Sequence, residues 1–510
     1  MAPIETVASV NGSNVVTNCD SSSSSSSTDV GSSERNGHTN GYANGHYTNG
    51  DKVSRDNING EEEEEEEEEE MFPEELGLRI MGIGVEYPPY RVHPTDLDAL
   101  ADKFCPKTDA IKKVLSINRY TGIITRPSVG PPTHPLANLP CPPTITDLHS
   151  LFMTSGVPLA IKACKSALSD SGYSPSQITH SVFTTCTDSS NPGYDTFVLK
   201  SLNISPSIEK VLLSGVGCSG GLAGLRTACN IALGAKARGR KARVLVCATE
   251  ICTALVRSEL DSIVKEGEIR IGLTLFSDCS SAVVVSNGVG EDLNNNNGGK
   301  RRGVYDILGW KHKTLDGTEA ELGFDVDPMG WKVILTPKVP SLTSTATPPL
   351  YTSLISSIPS KTLTSLLPKS SQPPNEKIKP TDLDWALHPG GSLILTSIES
   401  TMSLSPSHLR ASFEVYTNYG NSSSATIFSV MNTLRKESEA GIGGEGAVYG
   451  DGVGVKGGRR GVVGCAFGPG VSVEMVLMRR VDDGVGSGDQ GVVEVTNGVG
   501  GVSVGGEELD

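Results

Sequence analysis

The stretch Val-Leu-Leu-Ser-Gly-Val-Gly-Cys-Ser-Gly-Gly-Leu-Ala-Gly-Leu-Arg, residues 211–226, decides the fold of this chain. An apolar run ends at Gly217, Cys218 follows, and small residues then begin a helix predicted for 219–237. This order places a cysteine at a helix N-terminus, where unpaired backbone N–H groups and the helix dipole favour a thiolate. The pattern therefore predicts a reactive cysteine at a strand-to-helix junction.

Strand and helix patterns alternate on both sides of this stretch. Predicted strands cover 78–85, 181–187, 210–217, 243–251, 282–286, 385–387, 462–467 and 473–478, and predicted helices cover 159–170, 219–237, 392–402 and 422–436. This alternation predicts a layered α/β fold. Gly217-Cys218-Ser219 and Gly420-Asn421-Ser422 occupy equivalent places before a helix, which suggests an internal duplication. The segments 287–303, 341–379 and 441–460 are rich in Asn, Pro, Ser, Thr or Gly and are predicted to be irregular surface insertions.

The two ends of the chain differ in composition from its centre. Residues 1–70 are rich in Ser, Asn and Gly and end in ten glutamates, and residues 481–510 are rich in Gly, Val and acidic residues. Both are predicted to be disordered, because they bury too little apolar surface to offset the entropy of ordering. The ends carry −13 and −7 of the net charge of −16, which leaves residues 71–480 at +4. A mildly basic core suits an anionic small molecule and is too weak a signal for nucleic acid binding.

Several protein classes are disfavoured by the same composition. The N-terminus lacks the basic and apolar segments of a secretory signal, and no run of about 18 apolar residues predicts a membrane span. Eleven cysteines occur without C-x-x-C pairs, which fits free thiols in a reducing, cytoplasmic compartment. No His and Cys cluster has metal-ligand spacing, so we expect neither a metal nor another cofactor.

Two later segments offer partners for the cysteine. His388 lies in Trp-Ala-Leu-His-Pro-Gly-Gly (385–391), and Asn421 lies in Asn-Tyr-Gly-Asn-Ser-Ser-Ser (418–424). Cysteine is suited to taking an acyl group from a thioester, and imidazole and amide N–H groups can stabilise an enolate oxygen. Each residue alone has a simpler explanation: a packed small residue for Cys218, a structural histidine, and a turn-forming asparagine. The combination favours a thioester-handling site.

Six ordered motifs make the chain resemble the type III polyketide synthases, the chalcone synthase-like group of the thiolase superfamily, and especially the fungal members. The motifs are Gly217-Cys218 with the following Gly-Gly, Arg243-Val-Leu-Val with Glu250-Ile251, Leu275-Phe276, His388-Pro-Gly-Gly391, Tyr419-Gly-Asn-Ser-Ser423 and Phe467-Gly-Pro-Gly470. The resemblance covers about residues 76–480. It implies a duplicated five-layer αβαβα fold, with an N-terminal half over 73–303, a C-terminal half over 304–480, and tails at 1–72 and 481–510.

The resemblance also implies the chemistry and its residues. Cys218, His388 and Asn421 fall on the catalytic positions, and Phe276 falls on a gatekeeper between the CoA tunnel and the cavity. It implies a homodimer that uses an acyl-CoA starter and malonyl-CoA without a carrier protein. Further substrate-binding positions fall on Cys252, Leu255 and Val333, with Lys103 and Lys113 as matches for the basic mouth of the CoA tunnel. Ser423 lies near Asn421, where it either contacts the growing chain or begins the following helix.

Departures from the family pattern bear on the substrate. Val333 stands where a second gatekeeper phenylalanine is common, and Cys252 and Leu255 stand where hydroxyl side chains are common. These changes make the predicted cavity more apolar and roomier than in the plant flavonoid enzymes. We therefore expect an aliphatic, long-chain acyl starter and an alkylpyrone or alkylresorcinol-type product.

Three alternatives remain open from the sequence. A ketoacyl-carrier-protein synthase III uses the same Cys, His and Asn for one condensation on a carrier protein. Papain-like proteases run Cys, His and Asn in the same order, but their usual Cys-Gly-Ser-Cys-Trp context is missing around Cys218. A non-catalytic homologue could act as a scaffold through its acidic tails. Multiple malonate units in each product would separate the polyketide synthase from all three.

Overall fold

The computed structural model describes residues 71–291, 303–327, 330–367, 378–439 and 459–481. Its strands are β1 (Leu78–Glu86), β2 (Tyr90–Val92), β3 (Arg126–Ser128), β4 (His180–Thr184), β5 (Glu209–Leu213), β6 (Arg243–Ile251), β7 (Asp278–Ser286), β8 (Tyr305–Thr314), β9 (Leu322–Asp327), β10 (Gly330–Leu335), β11 (Asp384–Leu387), β12 (Gly461–Gly468) and β13 (Ser472–Arg480). Its α-helices are α1 (Pro94–Phe104), α2 (Asp109–Tyr120), α3 (Ile145–Leu151), α4 (Val157–Ser171), α5 (Tyr194–Ser201), α6 (Gly220–Ala237), α7 (Val256–Glu266), α8 (Gly272–Leu275), α9 (Val339–Ser356), α10 (Ser360–Thr364), α11 (Ser392–Thr401), α12 (Arg410–Tyr419) and α13 (Thr426–Glu439).

Nine strands form one sheet in the order β11-β12-β13-β8-β1-β7-β6-β4-β5. Its two halves meet where β1 pairs with β8 over the short stretch Leu78–Ile80. In one half β7 is antiparallel to β6, and β6 is parallel to β4. In the other half β13 is antiparallel to β12, and β12 is parallel to β11. The repeated topology confirms the predicted duplication.

Helices cover both outer faces of the sheet halves and fill the space between them. α4 packs on β1, β6 and β7, and α9 packs on β8 and β13. Between the halves lie α6 and α13, and α6 contacts β4 and β6 of one half as well as β12 and β13 of the other. β12 is fully buried and β6 is buried from Val244 onward, and both are near-continuous apolar runs, as strands covered on both faces require. This arrangement is the expected five-layer fold.

A glycine in β1 allows helix α4 to approach this strand closely. A Cβ atom placed on Gly84 would lie 2.1 Å from the carbonyl oxygen of Ala163 in α4. Because backbone atoms cannot move aside as a flexible side chain can, only glycine fits this contact. The contact holds α4 against the outer face of the N-terminal sheet half.

The structure corrects the prediction of an irregular insertion over 341–379, because α9 occupies most of its first half. α9 contains Pro348 and Pro349, and an interior proline costs a helix about 3 kcal/mol. Its buried residues nevertheless include Val339, Leu350 and Leu354, which pack into the main core. Burial of each such side chain contributes about 1.5–3 kcal/mol, so packing outweighs the local penalty.

The predicted tails and the other two insertions fall largely outside the described residues. One residue assigned to the N-terminal tail, Phe72, is instead buried, with its ring centroid 5.1 Å from that of Trp310. In the described part of the chain, no helix is both long enough and apolar enough to span a membrane.

Candidate active site

Cys218 lies in a single 3₁₀ turn, Gly217–Ser219, that leads directly into α6. Gly217 has a φ of +46°, and a Cβ atom there would lie 2.6 Å from Cδ of Pro469. Both the left-handed backbone and the lack of space require glycine at this position. The turn therefore holds the Cys218 side chain, which is only 7% exposed, at the start of an 18-residue helix.

Asn421 is fixed by backbone hydrogen bonds to the segment that carries Phe276. Its N–H donates to the Leu275 carbonyl at 3.0 Å, and its carbonyl accepts from the Ser277 N–H at 2.9 Å. Asn421 therefore pairs with Phe276 as in a short parallel bridge. This pairing ties the predicted catalytic amide to the predicted gatekeeper.

Hydrogen bonds also set the orientation of the Asn421 side chain. Oδ1 accepts from the Ser423 N–H at 2.8 Å, and Nδ2 donates to the Gly390 carbonyl at 3.3 Å. The amide N–H groups consequently face the His388 loop, since a Cβ atom on Gly390 would lie 3.7 Å from His388 Nε2. The same side chain also lowers the pKa of the Cys218 thiol through a hydrogen-bonding interaction. Asn421 thus links the two other predicted catalytic residues.

His388 follows β11, and its N–H donates to the Cys465 carbonyl of β12 at 2.8 Å. The side chain is 1% exposed, and within the described residues neither ring nitrogen has a hydrogen-bond partner. A buried polar group without a partner costs about 1–3 kcal/mol, so such groups are rare outside functional sites. A substrate oxygen would supply the missing partner.

Burial determines the protonation of the cysteine and the histidine. It raises the pKa of the Cys218 thiol to about 11, although hydrogen bonds from Ser423 and Asn421 act in the opposite direction. It lowers the pKa of His388 to about 3. Both shifts favour the uncharged forms of the two groups. Burial therefore opposes the thiolate that the helix N-terminus is expected to favour.

The predicted cavity residues surround Cys218 and an adjoining cavity. Cys218, Cys252, Phe276 and Val333 form one buried apolar cluster. The last three also line a cavity of about 300 Å³, together with Leu255. Cys218 does not line this cavity itself but packs directly against three residues that do.

The remaining predicted positions divide between the thiol, the cavity and the surface. Ser423 lies at the thiol, and its Oγ is also 3.3 Å from the Cys186 sulfur. Lys103 borders the cavity, and its Nζ donates to Asn138 Oδ1 at 2.7 Å. Lys113 lies on the exposed face of α2 and does not line this cavity. The structure therefore groups all the predicted positions except Lys113 near the cysteine or the cavity. In the described part of the chain, no cluster of His, Cys, Asp and Glu could hold a metal ion.

The chain matches known proteins over most of its length. Residues 99–289 match the N-terminal domain of chalcone and stilbene synthases, and residues 355–482 match the C-terminal domain. The chain is 35% identical over 413 residues to the type III polyketide synthase pspB of Penicillium soppii, covering 80% of this chain and 97% of that protein. It is 34% identical over 362 residues to the acylalkylpyrone synthase csyB of Aspergillus oryzae, covering 71% and 87%.

The chain belongs to the type III polyketide synthases. Solved structures of fungal members support the assignment. The fungal type III polyketide synthase ORAS has 52% identity and a TM-score of 0.71, and the type III pentaketide synthase from Neurospora crassa has 51% identity and a TM-score of 0.72. Each match covers 79% of this chain and all of the solved chain. The resemblance to the fungal members is therefore confirmed.

This polyketide synthase also contains a buried carboxylate whose role the motifs did not show. Glu250 is the penultimate residue of β6, is fully buried, and accepts hydrogen bonds from the Cys186 N–H, the Cys186 thiol and Thr187 Oγ1, among others. Burial raises its pKa despite these bonds, and its charge in turn raises the pKa of Cys218. A glutamate closing an otherwise apolar strand was the sequence signal for this network.

Proposed function

We propose that this type III polyketide synthase loads an acyl group from an acyl-CoA starter onto Cys218 and extends it with malonyl-CoA. The observation that carries the proposal is the pair of His388 nitrogens that have no partner among the described residues, near the oriented Asn421 amide, which itself acts on the Cys218 thiol. Donors for a thioester oxygen and a nucleophile for its carbonyl carbon are both available in one buried place. The catalytic roles below are part of this proposal.

Loading begins with proton transfer from the Cys218 thiol to His388. Burial favours the neutral form of each group taken alone. The thiolate and the imidazolium that form together nevertheless attract each other strongly at the low effective dielectric of the site. The thiolate then attacks the thioester carbonyl of the starter, and the carbon–sulfur bond between the acyl group and CoA breaks. The sulfur of CoA takes the proton from His388, and CoA leaves as the free thiol. Cys218 then carries the acyl group as a thioester.

Extension uses the same donors for a second task. Malonyl-CoA loses CO₂, and the electron pair of the broken carbon–carbon bond forms an enolate on its thioester oxygen. His388 and Asn421 N–H groups stabilise that oxygen, each by about 2.7–4 kcal/mol. The enolate carbon attacks the Cys218 thioester, a carbon–carbon bond forms, and the cysteine thiolate is released for the next cycle.

The substrate class follows from the walls of the cavity. Cys252, Leu255 and Val333 present apolar side chains to it, which favours an aliphatic, long-chain starter. The relative csyB is named an acylalkylpyrone synthase, which supports an alkylpyrone product, and the alkylresorcinol type is the other ring closure we consider. Mass spectrometry of products from acyl-CoA starters of several lengths, with malonyl-CoA, tests this. Much faster turnover of coumaroyl-CoA than of medium- and long-chain acyl-CoAs would contradict it.

The assembly that we propose is a homodimer. β5 is the end strand of the nine-stranded sheet, and Leu212 on it is 38% exposed. An open edge with an apolar residue can be covered by a second copy pairing strand to strand. Leu212→Lys should therefore convert a dimer into monomers in size-exclusion chromatography with light scattering, whereas an unchanged dimer would place the interface elsewhere.

The location that we propose is the cytoplasm. Nine cysteines within the described residues are free, which suits a reducing compartment. Cys141 is disulfide-bonded and departs from the expectation that the thiols are free. Fractionation of the source cells, with detection of the full-length chain, would test the location directly.

A further inference from the structure

Val333 sits on a strand that is not part of the main sheet. β9 and β10 form a separate two-stranded sheet, in which Val333 is opposite Phe324. Both side chains pack in the cluster around Cys218. The hairpin therefore supplies one wall of the space where a bound acyl chain must lie, without support from neighbouring strands of the large sheet.

A carboxyl and a guanidinium side chain hold the outer edge of β10 at Val333. Glu259 Oε1 accepts from the Val333 N–H at 3.1 Å, and Arg270 Nη1 donates to the Val333 carbonyl at 3.1 Å. Both the N–H and the carbonyl of Val333 therefore hydrogen-bond to side chains, in place of the backbone groups that a third strand would offer.

Glu259 and Arg270 form a clamp on the Val333 backbone, and this clamp is buried and held by further hydrogen bonds. Glu259 is 2% exposed and Arg270 6% exposed, and Glu259 also borders the cavity of about 300 Å³. The Arg270 guanidinium donates to Glu266 at 2.6 Å, and Lys332 of β10 donates to the same carboxylate at 2.6 Å. The second oxygen of Glu259, Oε2, has no partner among the described residues. Burying a carboxyl group whose second oxygen has no hydrogen-bond partner costs free energy. This cost argues for a role of Glu259 beyond filling space.

We propose that Glu259 is a positioning residue that sets the acyl chain length accepted by the enzyme, by fixing Val333 in the wall beside Cys218. This inference rests on the proposed function for its substrate class. With Glu259 shortened, the Val333 N–H loses its acceptor and β10 gains room to move into the vacated volume. The wall then recedes from Cys218, which favours longer and bulkier chains.

The test compares selectivity rather than activity alone. For Glu259→Ala, the ratio of kcat/KM for stearoyl-CoA to that for hexanoyl-CoA should rise about five- to tenfold, the effect of losing roughly one hydrogen bond. Glu259→Gln keeps an acceptor oxygen and should restore the wild-type ratio. Glu268→Ala is the matched control, because Glu268 binds the same Arg270 at 3.1 Å but does not touch Val333.

A double variant shows whether Glu259 acts through Val333. In a Val333→Ala background, Glu259→Ala should leave the ratio unchanged, because the wall residue it positions is already gone. A full effect in that background, or an equal loss for both starters with only a lower melting temperature, would overturn the proposal.

A second probe separates this proposal from the proposed function. N-alkylmaleimides of increasing chain length alkylate Cys218 without any turnover. Glu259→Ala should raise the rate at which long reagents alkylate Cys218 relative to the rate for short ones, even if the enzyme made no polyketide. Equal relative rates in wild type and variant would overturn the positioning role, whatever the outcome with acyl-CoA.

Discussion

Replacing Asn421 tests the assignment of the oxyanion donors most selectively. Its amide binds the Ser423 N–H at 2.8 Å and the Gly390 carbonyl at 3.3 Å, and it lowers the pKa of the Cys218 thiol. Asn421→Ala removes the donor that faces the His388 loop. Since one preorganised donor contributes about 2.7–4 kcal/mol, decarboxylation of malonyl-CoA should fall about 100- to 1,000-fold.

The same change should affect starter loading far less, because the thiol and His388 remain. Release of labelled CO₂ from malonyl-CoA measures the first step, and the intact mass of the protein after incubation with acyl-CoA measures the second. The loss of two buried hydrogen bonds should lower stability by about 1–3 kcal/mol, so a melting curve must accompany both assays.

Asn418→Ala provides the matched control. Asn418 lies three residues away on α12, is exposed, and its amide donates to the Glu414 carbonyl at 3.0 Å. It should leave both steps unchanged. A folded Asn421→Ala protein that decarboxylates within about threefold of wild type would refute the donor role, and a parallel loss of loading would show that the residue is only structural.

Three further predictions follow from individual contacts. His388→Gln should slow alkylation of Cys218 by iodoacetamide near neutral pH, because the thiolate loses its proton acceptor; an unchanged rate would remove His388 from loading. Burial raises the pKa of Glu259 to about 7 against the opposing charges of Arg270 and Lys332, so its proton is held more tightly in the folded state. Wild-type unfolding free energy should therefore fall, by at most roughly 3 kcal/mol, as pH rises from about 4.5 to about 7, and Glu259→Gln should remove this loss in urea titrations at the two pH values. Gly217→Ala should lower the unfolding free energy by about 1–3 kcal/mol and impair loading, whereas Gly234→Ala in α6, with open space around it, should stabilise by about 0.5–1 kcal/mol.

The strands that sequence predicted best are those with continuous apolar character. β6 was predicted with the bounds that it has in the structure, and α6 begins one residue after its predicted start. Their burial follows from composition alone, since such runs have no solvent-facing side. The hairpin of β9 and β10 was missed, because its half-exposed residues show neither a buried run nor a clear alternation.

The site divides in a similar way. Cys218, His388 and Asn421 could be proposed as site residues from sequence because each lies in a glycine-bearing turn. The clamp on Val333 was not, because Glu259 lies 74 residues before Val333 and only the folded hairpin brings them together. The raised pKa of the Cys218 thiol could not be predicted from sequence either. The position of Cys218 at the start of a helix was visible in the pattern, but its depth of burial was not.

The most direct test of the account is the intact mass of the enzyme after an acyl-CoA pulse followed by malonyl-CoA, with peptide mapping of the modified residue. We predict an acyl group on Cys218 that gains more than one malonate-derived unit, and no adduct in Cys218→Ala. An adduct on another residue, or a chain that stops after one unit, would contradict the mechanism built on Cys218, His388 and Asn421.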